Sequence, residues 1–176
     1  DLSPEKAGNV PSTAWSLAVR KHPWYPGETI SVAIGQGPLL VSALQTARAF
    51  AGLANRDGAL PVPHLFRIGE HVRSGKRVAY RPPVTEHVPY PPGVRETIVE
   101  GLWRVVNRPG GTAFRYRVEG LDACGKTGTV QVVAQKEAKK TMLLPEKLRD
   151  HAWFAAFAPR DDAKIVVVVF VENGLQ

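Results

Sequence analysis

A chain of 176 residues, 44% hydrophobic and 22% charged, can bury one core and is not of disordered composition. Its longest apolar run, residues 165–171, has the length of a strand and falls far short of the roughly twenty residues that cross a bilayer as a helix. The net charge of +7 comes from scattered cations; the one dense run, Lys136-Glu137-Ala138-Lys139-Lys140, reads as a solvated loop, and without interleaved aromatics nucleic acid is not an expected partner.

Residues 1–37 are rich in Pro and Gly and predict an extended, loop-dominated entry, in which residues 29–34 could pair as a short strand. A helix is predicted over 38–55, with Pro38 in its first turn and Leu40, Leu44, Ala47, Ala51 and Ala54 on one face. Residues 60–66 read as an edge strand because of their prolines, followed by a turn at Ser74-Gly75-Lys76. The proline-dense stretch 80–93 predicts a surface connection. A second helix is expected over 94–107, with Val94, Ile98, Leu102 and Val105 inward, stopped by Arg108-Pro109-Gly110-Gly111. Strands follow at 124–133, 151–158 and 164–172, the last two joined by the turn sequence Pro159-Arg160-Asp161-Asp162. The gap 134–150 is long for a hairpin and suggests a functional loop, helical in part after Pro145. No internal repeat is visible.

Cys124 stands alone, so neither an internal disulfide nor a cysteine zinc cluster is possible, and a buried strand cysteine is the reading for it. The five histidines (His22, His64, His71, His87 and His151) lack metal-ligand spacing; no metal and no cofactor is expected. The chain opens on Asp1 without methionine or a visible signal peptide, which is expected of a processed or excised piece.

One stretch can be read in two incompatible ways. Gly120-Leu121-Asp122-Ala123-Cys124-Gly125-Lys126-Thr127 fits the G-x-x-x-x-G-K-[ST] phosphate loop, and Lys126-Thr127-Gly128 is a K-T-G triplet. A phosphate loop needs a helix to start at its Lys-Thr, so that backbone N–H groups converge on the phosphates. Here Gly128, Thr129, Val130, Gln131, Val132 and Val133 follow, with strand alternation and poor helix formers. The strand reading is preferred, and a P-loop nucleotide hydrolase remains only as a remote alternative.

Ordered blocks along the whole chain then resemble the class B penicillin-binding proteins. Asp1, Leu2, Glu5, Gly8 and Pro11 resemble that family's D-L-x-x-E-x-x-G-x-x-P stretch. Trp24-Tyr25-Pro26-Gly27-Glu28-Thr29 and Ile34-Gly35-Gln36-Gly37 resemble its W-x-x-G-[DE]-T and I-G-Q-G blocks. Val106-Asn107-Arg108-Pro109-Gly110-Gly111-Thr112-Ala113 is similar to V-x-N-x-P-x-G-T-A, and Lys126 to Gln131 to K-[ST]-G-T-A-Q. Asp150-His151-Ala152-Trp153-Phe154 and Val171-Glu172-Asn173-Gly174 fit as well. The nearest subgroup by resemblance is penicillin-binding protein 2, the elongation-type transpeptidase.

The resemblance implies an α+β fold of the penicillin-binding and serine β-lactamase type, an antiparallel sheet flanked by helices, of which this chain holds three C-terminal strands. It implies that residues 1–176 are the C-terminal portion of a single transpeptidase domain whose nucleophile-bearing portion lies upstream. The implied reaction is serine acyl transfer on the D-Ala-D-Ala end of peptidoglycan stem peptides, which β-lactams imitate. Lys126, Thr127 and Gly128 would be catalytic, and Thr127 and Thr129 would bind substrate, with the Thr129 N–H in an oxyanion hole. Gly128 would keep the strand edge open to a substrate backbone. Gln131, His151 and Trp153 could line the cleft rim, Gln36 would hold a loop beside the site, and Asn107 would cap a helix. The implied partners are stem peptides, β-lactams and a membrane glycosyltransferase of the elongation machinery; the implied location is extracytoplasmic, with an upstream membrane anchor on the parent. A non-catalytic β-lactam sensor or peptidoglycan-binding relative is the alternative. Ser3-Pro4-Glu5-Lys6 matches S-x-x-K by letter, but Gly8 and Pro11 argue against the buried helix that motif requires, and the fragment alone is expected to be inactive.

Overall fold

Strand and helix signals of this sequence resolve, in the computed structural model, over residues 5–79, 86–130 and 145–174, which are the residues described here. In chain order the elements are α1 (Thr13–Trp15, continued by a π turn over Ser16–Arg20), α2 (Pro26–Ala33), α3 (Ala43–Ala54), β1 (Ala59–Leu60), β2 (Ile68–Glu70), β3 (Arg77–Ala79), β4 (Glu86–His87), α4 (Val94–Asn107), β5 (Cys124–Val130), β6 (His151–Ala158) and β7 (Ile165–Val171). Short 3-10 turns lie at Phe114–Tyr116 and Glu146–Leu148, the latter on the segment expected to be helical after Pro145. The strands form two small antiparallel pairs, β1–β4 and β2–β3, and an antiparallel sheet in the order β5-β6-β7. The α+β expectation is met. The chain divides into two compact units, and β5, β6 and β7 each contribute residues to both.

The first unit holds the described residues of 44–127 and 154–168. Its core is built on α4, which has the predicted bounds. Glu96 in its first turn and Arg104 in its last suit the helix dipole, and Arg108 leaves it in an extended conformation ahead of Pro109. The inward face differs from the expected one. Arg95, Val99, Leu102 and Val106 are buried, whereas Val94 and Ile98 are exposed. The stripe that is used also has helical spacing and lies beside the expected one, with Arg95 as its first member. Its guanidinium explains the choice: Nε donates to the Asn55 carbonyl and Nη2 to the Ala54 carbonyl, both at 3.1 Å, at the end of α3. A cation at a helix C-terminus satisfies orphan carbonyls and complements the dipole.

Val99 and Leu102 pack with Cys124 and Phe157, flanked by Phe50, Leu53, Trp103 and Val166. Val106 packs with Ala113, Ala123 and Ala158. The expected strand over 60–66 shrinks to Ala59–Leu60, registered against His87 and Glu86, because Pro61 and Pro63 offer no ladder donor. The predicted turn at Ser74-Gly75-Lys76 joins β2 to β3, closed by His71 N–H to the Lys76 carbonyl at 2.9 Å.

The second unit holds residues 6–43 with the described residues of 128–153 and 169–174. Here the entry segment is more helical than expected. Residues 29–34 do not form a strand; Thr29 to Ala33 belong to α2. Pro26 suits the first helical position, and the Glu28 carboxylate accepts the Tyr25 N–H at 2.8 Å. That N–H and the Arg20 guanidinium beside it hold the Glu28 carboxyl below its ordinary 4.5. Local capping overrides the β preference of Thr29, Ile30 and Val32. The helix expected from Pro38 starts only at Ala43, because Leu40 exchanges backbone hydrogen bonds with Asn9 at 2.7 and 2.9 Å and is therefore extended.

Loss of the Arg95 cap has a defined cost. Arg95→Met in the full-length protein should lower unfolding free energy by about 1.5–3 kcal/mol, the range for hydrogen bonds to a charged group. Denaturant unfolding reads this directly.

Candidate active-site strand

The placement of the K-T-G-T residues begins with α4. Asn107, the last helical residue, donates through Nδ2 to the Trp103 carbonyl at 2.9 Å and to the Ala123 carbonyl at 2.8 Å. It therefore clamps the residue before β5 to the helix, a different task from the expected helix cap. Trp103 adds a second tie, Nε1 to the Asp122 carboxylate at 2.7 Å. From Cys124 the chain runs as strand through Lys126 to Val130, with no helix starting at Lys126. A phosphate loop needs that helix, so the nucleotide reading is excluded.

Cys124 opens the strand fully buried. Burial pushes its thiol from the ordinary 9.0 up to about 12, so it is a packing residue and no nucleophile. Gly125 is buried and leaves no room for a larger residue: a Cβ there would lie 2.8 Å from the Phe154 ring and 3.1 Å from the Ala155 carbonyl oxygen. Lys126 is exposed, and its ammonium donates to the Thr127 carbonyl at 2.7 Å. The Thr127 hydroxyl shares a 2.8 Å hydrogen bond with the Thr112 hydroxyl. Thr112 was not singled out as a site residue from the sequence, although it sits in the Gly-Gly-Thr-Ala block. Its signal is the stop of α4 at Pro109-Gly110-Gly111: the chain turns back there, and the Ala113 N–H bonds the Val105 carbonyl at 3.1 Å, which brings Thr112 beside β5.

In the second unit the strand continues with Gly128 and Thr129. A Cβ on Gly128 would lie 3.2 Å from the Trp153 Cβ, so close packing on β6 requires the glycine whatever else it does. The Thr129 carbonyl accepts Gln36 Nε2–H at 3.1 Å, which ties the Gly35-Gln36-Gly37 loop to the strand, as expected for Gln36. His151 and Trp153 both pack on Phe170, with ring centroids 5.3 and 4.7 Å apart. The Asn173 N–H donates to His151 Nδ1 at 2.9 Å, so that nitrogen is the acceptor of the ring. Gln131 lies outside the described residues, as do Ser3 and Pro4; Glu5 and Lys6 of that tetrad are not helical. Among the described residues no group of three or more His, Cys, Asp or Glu side chains could hold a metal ion. The arrangement offers an ammonium, two hydroxyls and strand peptide groups, a set that complements anionic oxygen and carbonyl groups.

Two consequences are measurable. Cys124 in the native full-length protein should resist alkylation at pH 8 and react at once in denaturant, as peptide mass mapping would show. Because the folded thiol holds its proton to about 12 while an unfolded one releases it near 9.0, the unfolded state binds fewer protons between these values, so stability falls as pH rises through that window. Cys124→Ala should remove that alkaline slope, about 1.4 kcal/mol per pH unit at most.

Comparison with known proteins fits this geometry. A family model described as the penicillin binding protein transpeptidase domain matches residues 1–176. The chain is 36% identical over 181 aligned positions to the peptidoglycan D,D-transpeptidase MrdA of Escherichia coli K12, covering 99% of the chain and 28% of that protein. Among solved structures, Pseudomonas aeruginosa PBP2 in complex with WCK 5153 is similar at a TM-score of 0.75 and 32% identity, over 99% of this chain and 35% of that one. The complex between PBP2 and MreC from Helicobacter pylori is similar at 0.72 and 28% identity, over 98% of this chain and 28% of that one. The chain thus spans about 28% of the length of the curated relatives it matches first. Matched along its whole length, it belongs to the penicillin-binding protein transpeptidase family.

Proposed function

We propose that residues 1–176 are the C-terminal portion of one transpeptidase domain in a serine-type peptidoglycan D,D-transpeptidase, with the nucleophilic serine in the remaining length of the parent. The observation that carries this reading is the K-T-G-T stretch: it lies on β5, and its Thr127 hydroxyl is joined to Thr112 of the Gly-Thr-Ala block. The family match along the chain supports it.

In the proposed reaction a serine Oγ attacks the carbonyl carbon of the terminal D-Ala-D-Ala peptide bond. The tetrahedral oxyanion collapses, the C–N bond breaks, D-alanine leaves with a proton, and an acyl ester remains on the serine. The amine of a second stem peptide then attacks the ester carbonyl, the new C–N bond forms the cross-link as the ester C–O bond breaks, and one of the amine's own protons passes to the serine oxygen. Lys126 supplies the cation for the terminal carboxylate and the proton network of the serine, which requires it to leave the Thr127 carbonyl. Thr127 and Thr112 supply hydroxyls for the same carboxylate, and the Thr129 N–H supplies an oxyanion donor. Gly128 admits the substrate backbone, and His151 and Trp153 line the rim. β-Lactams would acylate the same serine.

The parent is assigned to the extracytoplasmic face of the membrane, held by an upstream anchor, within an elongation assembly that includes a membrane glycosyltransferase. The complex of the Helicobacter pylori relative with MreC supports a place in such an assembly. Among the described residues no helix is long and apolar enough to cross a membrane.

The test uses the full-length protein and a fluorescent penicillin. Lys126→Ala should reduce the labelling rate by roughly a hundredfold or more, as loss of a residue in the proton-transfer network does. Ser3→Ala should leave labelling unchanged. Normal labelling of the Lys126 variant would make that residue an ordinary strand lysine, and loss of labelling in the Ser3 variant would move the nucleophile into this chain.

A further inference from the structure

The proton network and the carboxylate clamp leave Gln36 without a task, yet its side chain makes a hydrogen bond to the K-T-G-T strand across 93 positions of sequence. The loop that presents it is held at every step. The Gln36 N–H donates to the Ser31 carbonyl at 2.8 Å, and the Gly35 N–H to the Val32 carbonyl at 2.9 Å, both at the end of α2. Gly35 and Gly37 on either side have φ of +79° and +74°, the left-handed region where a side chain is strained. Pro38 is fixed in turn: its carbonyl accepts Asn9 Nδ2–H at 2.6 Å, two residues before the Asn9–Leu40 bridge. A long, flexible side chain is thereby carried on a rigid loop, which lowers the entropy that its hydrogen bond must overcome.

The acceptor is a backbone carbonyl of β5, whose peptide plane it shares with the Val130 N–H. The Thr129 N–H lies on the neighbouring peptide of the same residue. Fixing one carbonyl of Thr129 therefore restricts the dihedrals that aim the other peptide. We infer that Gln36 is a positioning residue: by donating to the Thr129 carbonyl it sets the orientation of the β5 peptide groups that face the acyl-transfer chemistry. This inference rests on the reading of β5 given above. It accounts for an amide at position 36, since the carbonyl needs a donor and the long Gln36 side chain supplies an N–H; a carboxylate would set its own oxygen against the carbonyl. A loop-filling role would be served as well by methionine.

The experiment compares full-length wild type with Gln36→Met, which keeps length without a donor, and Gln36→Glu, which keeps shape but accepts only. Hydrogen exchange of residues 127–130 and the covalent rate of penicillin acylation, separated from its reversible binding step, are read together with Tm. The expected result is exchange faster by about fivefold in the Met variant, the factor that one net hydrogen bond supplies. The covalent rate should fall by about the same factor, with reversible binding little changed, and the Glu variant should lie below the Met variant in rate. Unchanged exchange in both variants overturns the inference. So does faster exchange with a wild-type covalent rate, which would leave Gln36 a loop tether only, or a rate loss that merely follows Tm. A wild-type protein that takes up no penicillin overturns the transpeptidase reading instead, while exchange still reports whether Gln36 holds the strand.

Discussion

Burial of one face of α4 against β5 and β6 is the constraint on which the placement of the site depends. Val99 and Leu102 meet Cys124 and Phe157, and the last two are essentially inaccessible to solvent. Full burial of one such side chain is worth roughly 1.5–3 kcal/mol, so this small cluster outweighs any single polar contact nearby. Strand alternation puts Cys124 and Lys126 on one side of β5 and Thr127 and Thr129 on the other. Cys124 is covered while Lys126 two residues later is exposed, so the cover on that side ends between them. The exposed lysine therefore has a fixed place in the fold. It sits on a strand whose position is fixed by hydrophobic packing one step before it.

The end of α4 has the same consequence from the other direction. Pro109 and the two glycines stop the helix, and the returning chain binds the Val105 carbonyl through Ala113. The same return delivers Thr112 to Thr127, and Asn107 clamps Ala123 as the strand begins. Neutral hydrogen bonds of this kind contribute about 1 kcal/mol each and would not hold a strand by themselves. Their effect is directional: they choose among orientations that packing leaves open. A binding edge needs that choice, because hydroxyls and peptide groups recognise an acceptor only within a narrow range of angles.

Legibility in the sequence followed the same division. α4 was readable to its termini because a proline-glycine stop and a helical period coincide there, and β6 because an apolar run of strand length ends on the turn sequence Pro159-Arg160-Asp161-Asp162. The inner face of α4 was misread since Arg95 is charged, and no periodicity argument reveals a guanidinium folded onto the end of another helix. Residues 29–34 and the start of α3 failed for a related reason. Capping by Glu28 and the Asn9–Leu40 bridge are contacts whose partners must be known before local propensity can be weighed against them. Of the site, the K-T-G-T strand, the loop carried by Gln36 and the burial of Cys124 were all legible. Thr112 was not, because a threonine in a turn has many ordinary uses and only its distance to Thr127 distinguishes this one.

The glycines of β5 show how a short motif can be read for chemistry when packing already demands it. Gly128 invites the view that an absent side chain admits a substrate backbone. A methyl group there would also press on the Trp153 Cβ at 3.2 Å, and one on Gly125 would collide with Phe154 and the Ala155 carbonyl. Separations in that range are tighter than normal van der Waals contact, and forcing extra carbon into a packed interface typically costs about 1–3 kcal/mol. Close approach of β6 is therefore sufficient to require both glycines, and Gly128 alone is no evidence of substrate contact. Lys126 and the Thr112–Thr127 hydroxyl pair differ in this respect. Neither the exposed cation of Lys126 nor the bonded hydroxyls of Thr112 and Thr127 fill space in the core, so packing gives no account of them. The chemical reading of this strand stands on those residues, and the glycines contribute the closeness of β5 to β6 that holds them still.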